Sequence, residues 1–231
     1  MSTQAPVFVV AGVGNGSGTG AAAARAFGAA GYRVALIARN VEHLKNVADE
    51  ISATGADAVA FPVKSYSYAD LHIAFEEIKR HWSKAEIRVT VWNAAHNVRK
   101  PFLELTEEIV QESVQTNIVS AFAFARESIL AFKDLELDDK AFSAGKHGER
   151  ALAQSLNKEF GVQNIHVSNV IVDGAILNGR LEKLATDKSI LTDLDKRLDP
   201  ASIAASYVYL AHQDRTAWTF ELDLRPAHER W

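Results

Sequence analysis

A cluster of glycines near the start of the chain constrains the fold more than any other feature. Glycines at 14, 16, 18 and 20 follow an apolar, β-branched run over 7–13 and precede an alanine-rich segment over 21–30. The apolar run is typical of a buried parallel strand. Gly31, directly after the alanine-rich segment, is typical of a helix end. The sequence therefore predicts a strand, a glycine loop and a helix in immediate succession.

The predicted glycine loop lies where a helix begins, and that position favours an anion. The first N–H groups of a helix have no partner within the helix and carry a partial positive charge. Glycines let the backbone come close to a phosphate group. Such a cluster also fits a flexible turn, but the flanking strand and helix favour a pyrophosphate site.

The rest of the chain alternates apolar runs with amphipathic segments. Strands are predicted at 7–13, 32–38, 58–61, 87–92, 165–172 and 219–224, and helices at 21–30, 41–52, 68–82, 106–132, 141–160 and 200–211. Strands separated by helices indicate βαβ units and a parallel sheet. We predict an α/β fold with a doubly wound, Rossmann-like sheet, in a single domain over 1–231.

Composition excludes several classes of function. The chain has 231 residues, 25 Lys and Arg against 29 Asp and Glu, and no basic block, which argues against nucleic-acid and membrane-surface binding. It has no cysteine, which excludes thiolate chemistry and fits a reducing compartment. The run over 7–13 is too short to span a membrane. These features together predict a cytoplasmic protein. No group of His, Asp and Glu residues has metal-ligand spacing, so we expect no bound metal.

The glycine loop resembles that of the short-chain dehydrogenase/reductase family. Gly14, Gly18 and Gly20 match the three glycines of the family motif TGxxxGxG, with Val13 at the threonine position. The resemblance implies that these three glycines bind the pyrophosphate of a nicotinamide dinucleotide.

The resemblance continues through nearly the whole chain. Asn93 stands in the family's NNAG motif, which implies a place along the adenosine side. Asn117 matches the helix asparagine with which the family holds a proton-relay water. Lys146 matches the lysine of YxxxK, which binds the nicotinamide ribose, so Lys146 and Asn117 are the implied catalytic residues. Ile176 ends a segment like the PG-x-I loop, whose isoleucine backbone meets the nicotinamide carboxamide.

The residues that end the second predicted strand favour NADP over NAD. An acidic residue at this point bonds the ribose 2′-OH and repels a 2′-phosphate, but Ala38 stands there. Arg39 follows, and a guanidinium can bind a phosphate with two N–H groups. The alternative is that Arg39 is a solvated residue at a helix entry.

The predicted catalytic centre departs from the family in two ways. Phe142 replaces the tyrosine of YxxxK and has no proton to transfer. The connection over 133–141 is too short for the family's strand, its substrate-polarising serine and a loop together. Loss of that central strand would leave either a gap to close or two unpaired sheet edges. An isoform without a coding segment, an omitted loop and a remodelled fold all fit this pattern.

Two functions therefore stay open. The first is an NADP-dependent oxidoreductase that transfers hydride between nicotinamide and a small carbonyl or alcohol substrate. The second is a catalytically silent NADP-binding or oligomerisation protein. His96 is a candidate for the missing acid, although a solvated loop histidine is the simpler explanation.

Two predicted long helices resemble the family's subunit interfaces. They cover 106–132 and 141–160, and they imply a homodimer or homotetramer. The alternative is that their apolar residues all pack within one chain. Residues 177–198, with mixed charged and apolar side chains, suggest a mobile lid over the substrate.

Overall fold

The computed structural model describes residues 4–98, 100–101, 104–133 and 146–228. The strands are β1 (Val7–Ala11), β2 (Arg33–Ala38), β3 (Ala58–Pro62), β4 (Ile87–Trp92), β5 (Asn169–Val172) and β6 (Glu221–Leu224). The helices are α1 (Thr19–Ala29), α2 (Val41–Ala53), α3 (Tyr68–His81), α4 (Glu107–Val114), α5 (Ser120–Lys133), α6 (Lys146–Phe160), α7 (Gly179–Leu184), α8 (Ser189–Thr192) and α9 (Pro200–Ala211).

The first four strands form a parallel sheet in the order β3-β2-β1-β4. In register, Val9 of β1 lies beside Ala35 of β2 and Thr90 of β4. Every residue of β1 is buried, because helices cover both faces of the sheet. From β1 the chain adds β2 and β3 on one side and then β4 on the other side. At such a change of side a crevice opens between the carboxyl ends of the two adjacent strands, here β1 and β4.

Two apolar layers hold the helices against this sheet. On one face Phe8 of β1 stacks on Phe27 of α1 with ring centroids 4.0 Å apart, and α2 and α9 join the same layer. On the other face Phe75 of α3 meets Phe124 of α5 at 5.4 Å. Side chains along β1 alternate between the two faces of the sheet, so the strand contributes residues to both layers. The predicted doubly wound α/β fold is therefore confirmed.

The last two strands form a separate parallel pair, β5-β6. Within the described ranges, no strand joins β4 to β5, so two sheet edges are left unpaired, as one of the two predicted outcomes requires. The strand predicted over 165–172 is half as long in the structure, where β5 begins at Asn169. Residues 165–168 lie before the strand. His166 and Ser168 contact the carbonyl oxygen of Thr219 at 2.8 and 2.6 Å, which ties them to the chain before β6.

The segment predicted as one helix over 106–132 is continuous but irregular. Thr106 caps α4, and a π-helical turn over Gln115–Val119 links α4 to α5. The helix predicted over 141–160 is seen from Lys146 onward, and 141–145 lie outside the described residues. Among the helices described, none is long and apolar enough to cross a membrane.

Candidate functional site

The glycine loop lies between the carboxyl end of β1 and the start of α1. Gly14 and Gly16 have φ of 59° and 93°, in the left-handed region that favours glycine. Gly18 is the N-cap of α1, with no side-chain hydrogen bond and no acidic residue in the first turn. In contrast, side chains cap α2, α3, α4 and α9. The first N–H groups of α1 therefore remain available to an external anion.

Open space and an unpaired hydroxyl mark the same loop. A Cβ added at Gly14 or at Gly18 would meet nothing within 4 Å. The hydroxyl oxygen of Thr19, the first residue of α1, is buried and has no hydrogen-bond partner in the described part of the chain. A phosphate group has room at Gly14 and Gly18, beside the first N–H groups of α1. The loop therefore fits a pyrophosphate on grounds of shape and of unsatisfied donors.

Gly20 has a different surrounding from the other two motif glycines. A Cβ at Gly20 would lie 2.2 Å from the carbonyl oxygen of Gly12. Gly12 itself has φ of 94°, and a Cβ there would lie 2.5 Å from the backbone nitrogen of Ala94. Gly20 thus lets α1 pack closely on the end of β1, and Gly12 lets β1 approach β4. Sequence reasoning did not single out Gly12, although its place at the end of the apolar run was a usable signal.

Asn93 joins the ends of β1 and β4. Its Nδ2 donates to the carbonyl oxygen of Gly12 at 2.6 Å, and its backbone N–H donates to that of Ala11 at 2.9 Å. The side chain is half-buried at the floor of the crevice. Asn93 therefore shapes the crevice by fixing these two strand ends.

Arg39 follows β2 directly and lies at the edge of the same crevice. Its guanidinium carbon lies 5.3 Å from the centroid of the Tyr66 ring, in a cation-π contact. Its Nη1 lies 3.8 Å from Oε1 of Glu112 on α4. Burial raises the pKa of Tyr66, and the positive charge of Arg39 partly opposes that shift.

Asn117 lies within the π-helical turn and binds the loop after β4. Its Oδ1 accepts from the backbone N–H of His96 at 2.9 Å, and its Nδ2 donates to the His96 carbonyl and to Oγ of Ser113, each at 3.0 Å. Both amide hydrogens are thus used within the chain. A water at this point would have to bind the remaining acceptor capacity of Oδ1 or a backbone group.

His96 lines a cavity of about 370 Å³ between the loop after β4 and α4. Its Nδ1 lies 3.3 Å from Oε1 of Glu112, and its Nε2 is buried with no partner among the described residues. Because Glu112 also contacts Arg39, the imidazole lies toward the end of the crevice where β2 ends. Sequence reasoning missed Glu112, which is one of several acidic residues on an exposed helix face.

The segment after β5 presents its backbone. Ile176 forms a parallel bridge with Leu198, in which Leu198 N–H donates to Ala175 and Leu177 N–H donates to Leu198. The N–H and C=O of Ile176 therefore point away from Leu198, and within the described ranges neither has a hydrogen-bond partner.

The predicted lid over 177–198 contacts the glycine loop. The backbone N–H of Gly179, at the start of α7, donates to Oγ of Ser17 at 3.1 Å. Nδ2 of Asn15 would lie 3.2 Å from a Cβ at Gly179. The lid and the glycine loop are thus in direct contact.

A model of the family described as short chain dehydrogenase matches residues 8–137, which is more than half of the chain. This chain belongs to the short-chain dehydrogenase family. The resemblance predicted from its motifs is therefore confirmed.

Several known proteins are similar to this family member. Rat (Rattus norvegicus) 3-oxoacyl-[acyl-carrier-protein] reductase is 30% identical in an alignment 163 residues long, which covers 63% of this chain and 66% of that protein. A short-chain dehydrogenase from Rhodopseudomonas palustris is 27% identical with a TM-score of 0.74, covering 95% of this chain and 98% of that one. A variant of actinorhodin polyketide ketoreductase with NADPH has a TM-score of 0.80 at 21% identity, covering 99% and 100%.

The family's catalytic positions fall at the edge of the described structure. Lys146 is the first residue of α6, and its backbone alone is described. Phe142 lies outside the described residues. Across the described ranges, no group of three or more His, Asp or Glu residues could hold a metal ion. Contacts through Glu112 and His96 connect Arg39 with Asn117. Asn93 lies against Gly12 and Gly20, beside the start of α1.

Proposed function

We propose that this chain is an NADP-dependent oxidoreductase acting on the carbonyl or alcohol group of a small-molecule substrate. The observation that carries the proposal is the uncapped start of α1. There, open space lies at Gly14 and Gly18, and the buried hydroxyl of Thr19 has no hydrogen-bond partner among the described residues. A bound NADPH supplies the hydride for such a reaction.

The adenosine and phosphate end of the proposed site uses three kinds of contact, from the start of α1, from Arg39 and from Asn93. The N–H groups at the start of α1, with Gly14 and Gly18, bind the pyrophosphate, and Gly20 keeps α1 close to β1. Arg39 binds the 2′-phosphate with its guanidinium N–H groups. Asn93 lines the adenosine side from the end of β4.

The nicotinamide end uses the opposite half of the crevice. The unpaired N–H and C=O of Ile176 suit a carboxamide, which has one acceptor and two donor hydrogens. Lys146 binds the ribose, and Asn117 holds a water through the acceptor that its internal bonds leave free. Since Phe142 has no proton to transfer, the substrate oxygen takes up its proton from water when a carbonyl is reduced and releases it to water in the reverse reaction.

Related proteins support the choice of cofactor and substrate class. The ketoreductase described above was solved with NADPH. An alcohol dehydrogenase from Thermococcus sibiricus, 20% identical with a TM-score of 0.76 over 98% of this chain and 99% of that one, was solved with 5-hydroxy-NADP. The rat protein is named for reducing a 3-oxoacyl group. We therefore expect a carbonyl compound as substrate.

The second candidate is a silent NADP-binding protein. The unpaired edges of β4 and β5 favour it, because the family's strand and serine belong between them. Phe142 favours it as well. Under this alternative, the nucleotide site remains and the proton relay is lost.

Turnover assays with NADPH separate the two candidates. Wild type, Phe142→Tyr and Lys146→Ala would be compared on a panel of ketones and 3-oxoacyl thioesters, with loss of nicotinamide absorbance as readout. Turnover by wild type that Lys146→Ala abolishes supports the oxidoreductase. Binding of NADPH without turnover, with a gain only in Phe142→Tyr, supports the silent protein. Absence of both binding and turnover would refute both.

We also propose that the whole chain, 1–231, forms one domain, acts in the cytoplasm and assembles as a homodimer or homotetramer. Two valines of α4, Val110 and Val114, are exposed one helical turn apart. In contrast, Ala121 and Phe124, which lie on the same predicted interface helix, are buried within the chain. The exposed α4 face therefore supports the assembly better than α5 does.

A further inference from the structure

We propose that Glu112 occupies an anion site at the adenosine end of the crevice and competes there with the 2′-phosphate of the dinucleotide. Glu112 would thus set how strongly the chain prefers the 2′-phosphorylated cofactor. This inference rests on the proposed NADP function.

A single carboxylate oxygen marks the anion site. Oε1 of Glu112 lies 3.8 Å from Nη1 of Arg39 and 3.3 Å from Nδ1 of His96. The two nitrogens come from different loops, one after β2 and one after β4, while Glu112 comes from α4. An anion at this oxygen position thus contacts two groups that can each carry positive charge.

The same guanidinium is the only group yet assigned to the 2′-phosphate. One face of Arg39 lies over the Tyr66 ring, and Nη1 lies 3.8 Å from Glu112. A phosphate that binds this N–H edge must displace the carboxylate or accept it as a close neighbour of like charge. In both cases Glu112 lowers the affinity for the phosphate.

The exposure of the pair sets the size of the effect. The side chains of Arg39 and Glu112 are 48% and 52% exposed. Ion pairs this exposed change an equilibrium constant by up to about fivefold, and salt weakens them. The alternative role for Glu112 is to hold Arg39 in place for the phosphate. The Tyr66 ring already holds the guanidinium of Arg39. We therefore expect the guanidinium to keep most of its orientation in a Glu112 variant.

The test compares Glu112→Gln with Glu108→Gln. Both remove one negative charge from α4, but Glu108 has no ion pair in the described part of the chain. Calorimetric titrations would use 2′,5′-ADP and 5′-AMP as probes of the adenosine end, and fluorescence titrations would use NADPH and NADH. We expect Glu112→Gln to bind 2′,5′-ADP and NADPH about three- to fivefold more tightly at low salt. Affinities for 5′-AMP and NADH, and all affinities of Glu108→Gln, should match wild type.

Other outcomes would overturn the inference. Unchanged or weaker binding of 2′,5′-ADP by Glu112→Gln would show that Glu112 is neutral or positions Arg39. If wild type prefers NADPH and the variant does not differ, only the role of Glu112 is wrong. If wild type and variant bind neither dinucleotide, the proposed function is wrong as well. Thermal unfolding of each variant shows whether the chain is folded. Glu112→Ala repeats the test with a side chain that has neither a charge nor a hydrogen-bonding group.

Discussion

Gly18 and Gly20 belong to one sequence motif but have opposite surroundings. Open space surrounds Gly18, and its backbone is extended with φ of −101°. Gly20 lies against the carbonyl of Gly12 at a distance that no Cβ tolerates. One glycine therefore leaves room for a ligand, and the other permits the packing of α1 on β1.

Alanine substitutions should separate these two roles. Gly20→Ala should lower the free energy of unfolding by about 3 kcal/mol or more, because backbone atoms must move to admit the methyl group. Gly18→Ala should leave stability within about 0.5 kcal/mol, since its backbone suits alanine, yet weaken NADPH binding. Urea unfolding and fluorescence titration measure the two effects. A stable Gly20→Ala variant, or full nucleotide binding by Gly18→Ala, would contradict this assignment.

Sequence reasoning identified residues whose neighbours along the chain define them. The glycines lie between a strand and a helix, and Arg39 follows the end of β2, so local pattern was sufficient. Glu112 could not be identified in this way, because its contacts with Arg39 and His96 join segments far apart in sequence. Gly12 is similar, since its tight contact is with Ala94.

At the scale of elements, helix starts were the most predictable feature and the π-helical turn the least. Proline begins α9 at residue 200 as predicted, and Thr106 directly precedes α4. The turn over Gln115–Val119 depends on Asn117 binding the loop after β4. That contact joins residues far apart in sequence, so the helical periodicity of the sequence cannot predict the π-helical turn.

Asp70 holds the loop between β3 and α3, next to Tyr66 under Arg39. Its Oδ2 accepts from the Ser65 hydroxyl at 2.7 Å and from the Ser65 N–H at 2.8 Å. The Ser65 hydroxyl, more than any other group, lowers the pKa of Asp70 below its ordinary 3.8. The carboxylate therefore stabilises the folded chain above pH 3.8, and this contribution disappears as the pH falls through the lowered pKa.

Asp70→Asn should thus destabilise the chain in a pH-dependent way. At neutral pH we expect a loss of about 1 kcal/mol, reduced by solvent screening because the group is partly exposed. The difference from wild type should shrink at pH values below 3.8. Urea unfolding at several pH values measures it, with Glu76→Gln on the same helix as control. A difference that does not change with pH would rule out a role for the charge.

At the scale of the whole molecule, the sequence predicted the sheet well where βαβ units repeat. The repeated βαβ units predict a parallel sheet with right-handed crossovers. The structure has four parallel strands in the order β3-β2-β1-β4, with helices on both faces. Within the described ranges, β5 and β6 form a pair separate from this sheet. Sequence alone left open whether the gap closes, because that depends on packing across the whole molecule.

The exposed valines of α4 predict an assembly that charge should disrupt. Replacing Val110 and Val114 with lysine should convert a homodimer or homotetramer into smaller species, since two charges would enter an apolar interface. Val162→Lys is the control, because Val162 is exposed at the end of α6. Sedimentation velocity reports the masses. A wild type that sediments as a monomer would contradict the proposed assembly.

The ratio of NADPH to NADH affinity tests the central claim most directly. Fluorescence titrations of the intact wild-type chain and of Arg39→Ala give four dissociation constants. We expect wild type to bind NADPH about tenfold or more tightly than NADH, because a charge-assisted contact with the 2′-phosphate adds about 1.5 kcal/mol or more. Arg39→Ala should remove this preference and leave NADH binding unchanged. Equal affinities in wild type, or binding of neither dinucleotide, would contradict the NADP site proposed for this short-chain dehydrogenase.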